Sequence, residues 1–244
     1  MPSRWLVPLA GIDLERVTGE QVHSALTRWF DLDKRDHNAQ QMPYALSPMR
    51  ETGGLPAVEV RLLSARAEEQ FATASVLGVN LRLGGLSGAS FTPRRLRDEA
   101  WRSLATPSGA TSWVLDFVTP ATFRRGTRST PWPAPSAVLR GLTECWAAWS
   151  GLGQRDVSHQ QADEVWVSDI DGRSHPVVMS GMHLSGFVGR IRYRCDDKDV
   201  ARLVDPLFRL AEYSGIGTGT AKGLGVTRVV DARPAVGTYA VQAS

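Results

Sequence analysis

Tyr213-Ser214-Gly215-Ile216-Gly217-Thr218-Gly219-Thr220-Ala221-Lys222-Gly223-Leu224-Gly225 is the stretch from which the fold is read. Before it, Val200, Leu203, Val204, Leu207, Phe208 and Ala211 recur at the spacing of one helix face. After it, Val226 to Val230 has strand character. The glycines at 215, 217, 219, 223 and 225 allow sharp turns and close approach of a partner to the backbone. Exposed N–H groups there, with Lys222 among them, would cradle phosphate oxygens. No Gly-Lys-Ser/Thr follows at the spacing of a nucleotide P-loop. A dinucleotide fingerprint leads from strand to helix, whereas this loop leads from helix to strand. A clamp on a phosphate backbone fits this order; a long flexible turn is the plain alternative.

Working outward, Trp113 to Val118 alternates as a strand, and Pro135 to Trp149 is a helix with Val138, Leu142, Cys145, Trp146 and Trp149 on one face. Val165-Trp166-Val167 and Phe187 to Cys195 supply two more strands. The order is β-α-β-β-α-β. The first half repeats it. Arg4 to Leu9 is a strand, and a helix follows from Thr18 with Val22, Ala25, Leu26, Trp29 and Phe30 along it. Tyr44 to Ser47 and Ala57 to Leu63 are strands, Ala65 to Leu77 is a helix, and Val79 to Leu83 is the fourth strand. The expected fold is α+β, two tandem ferredoxin-like (βαββαβ, RRM-like) domains. The Thr-Pro-Ser-Gly linker divides them into residues 1–107 and 108–244.

The chain has 244 residues and a formal net charge of +3. Lys34, Lys198 and Lys222 are its three lysines, so arginine makes up the rest of its 28 basic residues. Guanidinium forks suit phosphate and stack on bases, although a GC-rich genome would produce the same bias. The apolar N-terminal stretch is broken by Pro8 and runs into Asp13, unlike a secretory signal, and no run is long enough to span a bilayer. These features point to a soluble, cytoplasmic protein. Cys145 and Cys195 form no metal motif or disulfide framework and are expected to be reduced core thiols. No spacing of His, Asp and Glu suggests a metal site, so neither metal nor other cofactor is expected.

Arg190, Arg192 and Arg194 alternate along one strand, opposite Phe187, Ile191 and Tyr193. They form a basic row suited to a polyanion, or an ordinary exposed sheet face. Arg94, Arg95 and Arg97, with Arg124, Arg125 and Arg128, suggest a basic cleft between domains. Five histidines compete for proton transfer. His23 reads as a surface residue of the first helix; His159 and His175 sit in turn-like segments; His183 could approach the cleft; His37 lies in a polar loop beside Lys34 and Arg35.

The glycine loop, ending in Gly-Leu-Gly before a closing strand, resembles that of the CRISPR-associated endoribonucleases known as the sixth Cas protein, in the repeat-associated mysterious protein (RAMP) superfamily. Phe117-Val118-Thr119-Pro120-Ala121-Thr122-Phe123 is similar to the family's element opening the second domain, and Ser185 to Tyr193 to its Gly-Phe strand. His37 followed by Met42-Pro43-Tyr44-Ala45-Leu46-Ser47-Pro48 is similar to its N-terminal element, with Met42 where many members have Lys.

The resemblance implies metal-independent cleavage of precursor CRISPR RNA within its repeats, by attack of a ribose 2′-OH that leaves a 2′,3′-cyclic phosphate and a 5′-OH. It places His37 as the main proton-transfer residue. Tyr44 would assist the 2′-OH or stack on a base, or else simply pack in its strand. Lys34 and Arg35 would stabilise the phosphorane, or else form a solvated helix end, where cations are favoured in any case. Arg190, Arg192, Arg194 and the glycine loop would hold RNA. The alternative is a non-catalytic guide-RNA-binding subunit of an effector complex with other Cas subunits. A homodimer is also compatible.

Overall fold

The computed structural model describes residues 1–30, 41–75, 80–179 and 181–234. The fold is α+β, built from two ferredoxin-like units. In the first, strands β1 (Ser3–Ala10), β2 (Tyr44–Leu46), β3 (Arg50–Thr52), β4 (Leu55–Leu62), β5 (Asn80–Leu83), β6 (Leu86–Ser90) and β7 (Arg94–Asp98) form one sheet. Its path runs β2-β4-β1-β6-β5, with β7 also on β1 and β3 on β4. Helix α1 (Gly19–Leu26) carries the chain from β1 past β4 to β2, and α2 (Ala65–Ser75) carries it back to the far side of β1. The start of α1 is set by a capping box. Thr18 Oγ1 accepts from Gln21 N at 3.3 Å, and Gln21 Oε1 accepts from Thr18 N at 2.9 Å.

The fourth strand differs from the expectation. Asn80–Leu83 is a strand, but it pairs with β6 and not with β1. The edge beside β1 is shared: β7 pairs with Ser3 to Leu6, and β6 with Leu9 and Ala10. Leu81 and Leu83 are buried while Arg82 is exposed, so the alternation is that of any half-buried strand and does not reveal the neighbour.

In the second unit, β8 (Ser112–Ala121), β11 (Val165–Met179), β12 (Met182–Cys195) and β13 (Thr227–Arg233) pair in the order β11-β12-β8-β13. The short helix α3 (Trp101–Ala105) precedes β8; between β8 and β11 lie a small hairpin of β9 (Phe123–Arg125) and β10 (Arg128–Thr130), then α4 (Pro135–Trp149) and the short α5 (His159–Asp163). Helix α6 (Lys198–Ser214) begins at Asp197, whose carboxylate accepts from the amides of Asp199 and Val200 at 2.8 and 3.0 Å. The hairpin β11–β12 is far longer than Val165–Val167 and Phe187–Cys195 suggested. Residues 169–176 are all exposed and show no hydrophobic alternation, and pairing with β12 holds them extended. His175 and His183 therefore lie on strands.

Two apolar cores result. One holds Val7, Leu9, Val22, Leu26, Phe30, Tyr44, Val58 and Phe71; the other holds Trp113, Phe117, Leu142, Trp146, Tyr193 and Phe208. Each borrows from the opposite half, since Ala221 packs in the first and Leu63 and Leu104 in the second. Buried Asp205 ties the linker to the second sheet. It accepts from Ser108 N at 2.7 Å, Ser108 Oγ at 3.0 Å and Trp113 Nε1 at 2.8 Å. Both cysteines are buried free thiols.

Candidate nucleic-acid interface

A cleft of about 680 Å³ opens between α1 and Gln41–Met42 of the first unit and α4 of the second, with the glycine loop as its floor. On α4, Ala137, Gly141 and Cys145 recur every fourth residue and line it, so small side chains leave the space open. Arg124, Arg140, Lys222 and His23 bring basic groups, and among the described residues Glu144 is the lining carboxylate. Gln41 Nε2 donates to Glu144 at 3.1 Å, and Arg140 donates to the Arg124 carbonyl at 3.2 Å. Lys222 Nζ lies 4.0 Å from Glu20.

The glycine loop is held by its own amides. Ile216 N donates to Gly225 O at 2.9 Å, Thr218 N to Thr122 O at 2.8 Å, and Gly225 N to Pro120 O at 2.9 Å. Glycine is required at two of these contacts. Gly225 has φ +61°, and a Cβ there would collide with the Ile216 carbonyl. Gly217 has φ +94°, and a Cβ would sit 2.6 Å from Thr122 O. The amides of Lys222, Gly223 and Leu224 also bond within the loop. The phosphate cradle read from the sequence is thus narrower than expected. Among the described residues, the amides of Gly217, Gly219, Thr220 and Ala221 are left without an internal acceptor.

Lys34, Arg35 and His37 lie outside the described residues. Tyr44 is 1% exposed in the first core, its ring 4.5 Å from that of Phe30, and it is not among the residues lining the cleft. His23, read from the sequence as a surface residue, lines the cleft, half-buried, with its ring 6.3 Å from that of Tyr44. Periodicity does not mark His23 or Arg140, because each lies beside an apolar stripe, at Val22 and Leu139, and such a stripe separates core from non-core but not cleft from solvent.

The arginine row keeps its alternation but is interleaved with carboxylates. Arg190 pairs across strands with Asp171 and Asp116, and Arg192 with Asp169. Arg190 lies 3.9 Å from Asp116, Arg192 3.9 Å from Asp231, and Arg194 3.7 Å from Asp196 and over the Trp166 ring. None of the three lines the cleft. Arg95 and Arg97 are also engaged, with Glu68 and Glu212 at 2.9 and 2.8 Å. Of the expected basic clusters, Arg124 reaches the cleft. Among the described residues, no group of three or more His, Cys, Asp or Glu is placed to hold a metal ion, and no helix is long and apolar enough to cross a membrane.

Residues 115–227, from β8 through the glycine loop to the start of β13, match the model of the family described as CRISPR-associated endoribonuclease Cas6. Among solved structures, a Cas6 product complex is 23% identical, with 95% of this chain and 100% of that chain covered at a TM-score of 0.80. Thermus thermophilus Cas6 is 20% identical over 94% of this chain and 98% of its own, with a TM-score of 0.67. A RAMP protein described as binding different RNA substrates is 12% identical over 94% and 100%, with a TM-score of 0.59. No curated protein matches the sequence. Over residues 115–227 the sequence is similar to the CRISPR-associated endoribonuclease Cas6 family, and over nearly its whole length the chain shares the fold of solved Cas6 structures.

Proposed function

We propose that this chain is a Cas6-type endoribonuclease that cuts precursor CRISPR RNA within its repeats and releases guide RNAs. The observation that carries the proposal is the cleft itself. It brings a histidine of the first unit opposite Arg124, Arg140, Lys222 and the unbonded loop amides of the second. The division remains at 107 and 108, with the histidines for proton transfer in residues 1–107 and the phosphate-holding loop in 108–244.

In this reading the ribose 2′ oxygen forms a bond to phosphorus as the bond to the 5′ oxygen breaks. One proton leaves the 2′-OH and another reaches the departing 5′ oxygen. His37 transfers one of them, and His23 is positioned on the cleft wall for the other. The cations and amides stabilise charge growing on the non-bridging oxygens. None of these steps needs a metal, and the products carry 2′,3′-cyclic phosphate and 5′-OH ends. Tyr44 supports the wall behind His23 through ring packing. Lys34 and Arg35 remain assigned to the phosphate, and Arg190, Arg192 and Arg194 to flanking RNA.

The test is a cleavage assay in excess EDTA, using repeat RNA from the source genome beside a copy with a single 2′-deoxy nucleotide at the cut. One discrete cut, a cyclic-phosphate end and an uncut deoxy substrate are expected. Tight binding with no cut would instead make the chain a guide-RNA-holding subunit.

A further inference from the structure

Strand β11 forms one edge of the second sheet, and residues 169–176 along it are all exposed. Such an edge offers a row of backbone donors and acceptors to another strand. The regular part is bounded on both sides. The register shifts between Val167 and Asp169, leaving Ser168 as a bulge, and Pro176 lacks an N–H on the other side. Midway between Ser168 and Pro176 lies Gly172. When the segment is turned about Gly172 onto an antiparallel copy of itself, the bulge of each strand meets the proline of the other.

The charges obey the same symmetry. Asp169, Asp171, Arg173 and His175 alternate on the face that carries Arg190 and Arg192, as the pairs Asp171–Arg190 and Asp169–Arg192 show. Rotation about Gly172 sets Asp171 opposite Arg173 of the partner subunit and Asp169 opposite His175 of the partner subunit, each twice. Centring the pairing on Asp171 would set two carboxylates face to face, and centring it on Arg173 would oppose two guanidinium groups. Charges that deter unspecific edge pairing therefore permit one register.

Pro176 also sets which backbone groups point outward. A proline is accommodated in an edge strand with its nitrogen away from the neighbouring strand. Ser174, Gly172 and Ile170 share that orientation, so about six backbone hydrogen bonds can link two copies. Asp171 then falls in a non-hydrogen-bonded pair, where side chains are closer. None of the residues from 169 to 176 lines the cleft, so both clefts stay open.

We propose that two copies of this chain pair antiparallel through β11, about a two-fold axis at Gly172, and join their second sheets into one. The proposal does not depend on the assigned reaction. It is tested by sedimentation velocity of the full chain at micromolar concentrations. A dimer is expected for the native sequence. Arg173→Asp should weaken it at least about tenfold by facing Asp171 of the partner subunit with a like charge, and the double variant D171R/R173D should restore it. Ser174→Pro removes an outward N–H, keeps every charge, and should give monomers with an unchanged circular dichroism spectrum. A monomeric native chain, an R173D variant that dimerises as tightly as the native one, or a folded double variant that stays monomeric would each overturn the proposal.

Discussion

Arg4 on β1 donates through Nη1 to Glu212 on α6 at 2.6 Å, so a strand of the first unit is bonded to a helix of the second. Arg97 on β7 donates to the other Glu212 oxygen at 2.8 Å. Arg209 and Tyr213 of the same helix bond to Glu99. Both Arg4 and Glu212 are close to nine-tenths buried, which makes this a low-dielectric contact whose loss strands charge. Glu212→Ala is expected to cost roughly 2–4 kcal/mol by leaving two guanidinium groups short of a partner. Urea unfolding followed by tryptophan fluorescence reads this as a lower midpoint.

Glu59 accepts from Arg4 and Arg61, each at 2.9 Å, inside the first sheet. Burial alone would raise its pKa, but Arg61 and Arg4 outweigh it and hold the carboxyl down at about 2, against an ordinary 4.5. A depressed pKa contributes stability that is complete above the unfolded value and is lost as pH falls from 4.5 toward 2. Thermal melts across that window should show a steep fall for the native chain. Glu59→Gln should be less stable at neutral pH and show a flatter dependence.

His23→Ala should lower the single-turnover cleavage rate by about 10²–10⁴, the range of a lost proton-transfer group. RNA affinity measured by fluorescence anisotropy should change little. An equal loss of affinity and rate would show that His23 holds RNA and does not move protons.

Gly225→Ala should destabilise the loop by roughly 2 kcal/mol or more, because its φ is positive and its Cβ meets the Ile216 carbonyl. RNA binding and melting temperature are expected to fall together. Gly126 is a useful control: its φ is +61° but a Cβ there has open space, so alanine there costs less.

Burial pushes the Cys145 thiol up to about 12 and the Cys195 thiol up to about 11. Both should resist disulfide-exchange reagents in the native state near neutral pH and react fully once the chain is unfolded in guanidinium.

The two βαββαβ repeats were legible because their signals are local. Thr18 caps α1, Pro135 opens α4, and the stripe from Val200 to Ala211 defines α6 within a few turns of chain. The candidate site was less legible. Tyr44 matches a motif yet sits in the core, while His23 matches none and faces the cleft. Residues 79–83 have the alternation of the first unit's fourth strand, yet Asn80–Leu83 forms only the outer half of a hairpin. Which strand neighbours β1 depends on a competition among β5, β6 and β7 that alternation does not encode.

By itself the sequence determined the order of elements, the doubled α+β plan, the glycine loop between helix and strand, and the thiols' place among apolar residues. These follow from periodicity and backbone preference over short stretches. Tertiary structure alone decided which charges are available. Arg4, Arg97 and Arg190 look alike along the chain, but Glu59, Glu212 and Asp116 approach them from distant segments. The same assembly brought Arg124, Arg140, Lys222 and His23 around one cleft. Electrostatic interaction depends on separation in space and on the local dielectric, and neither is written in residue spacing.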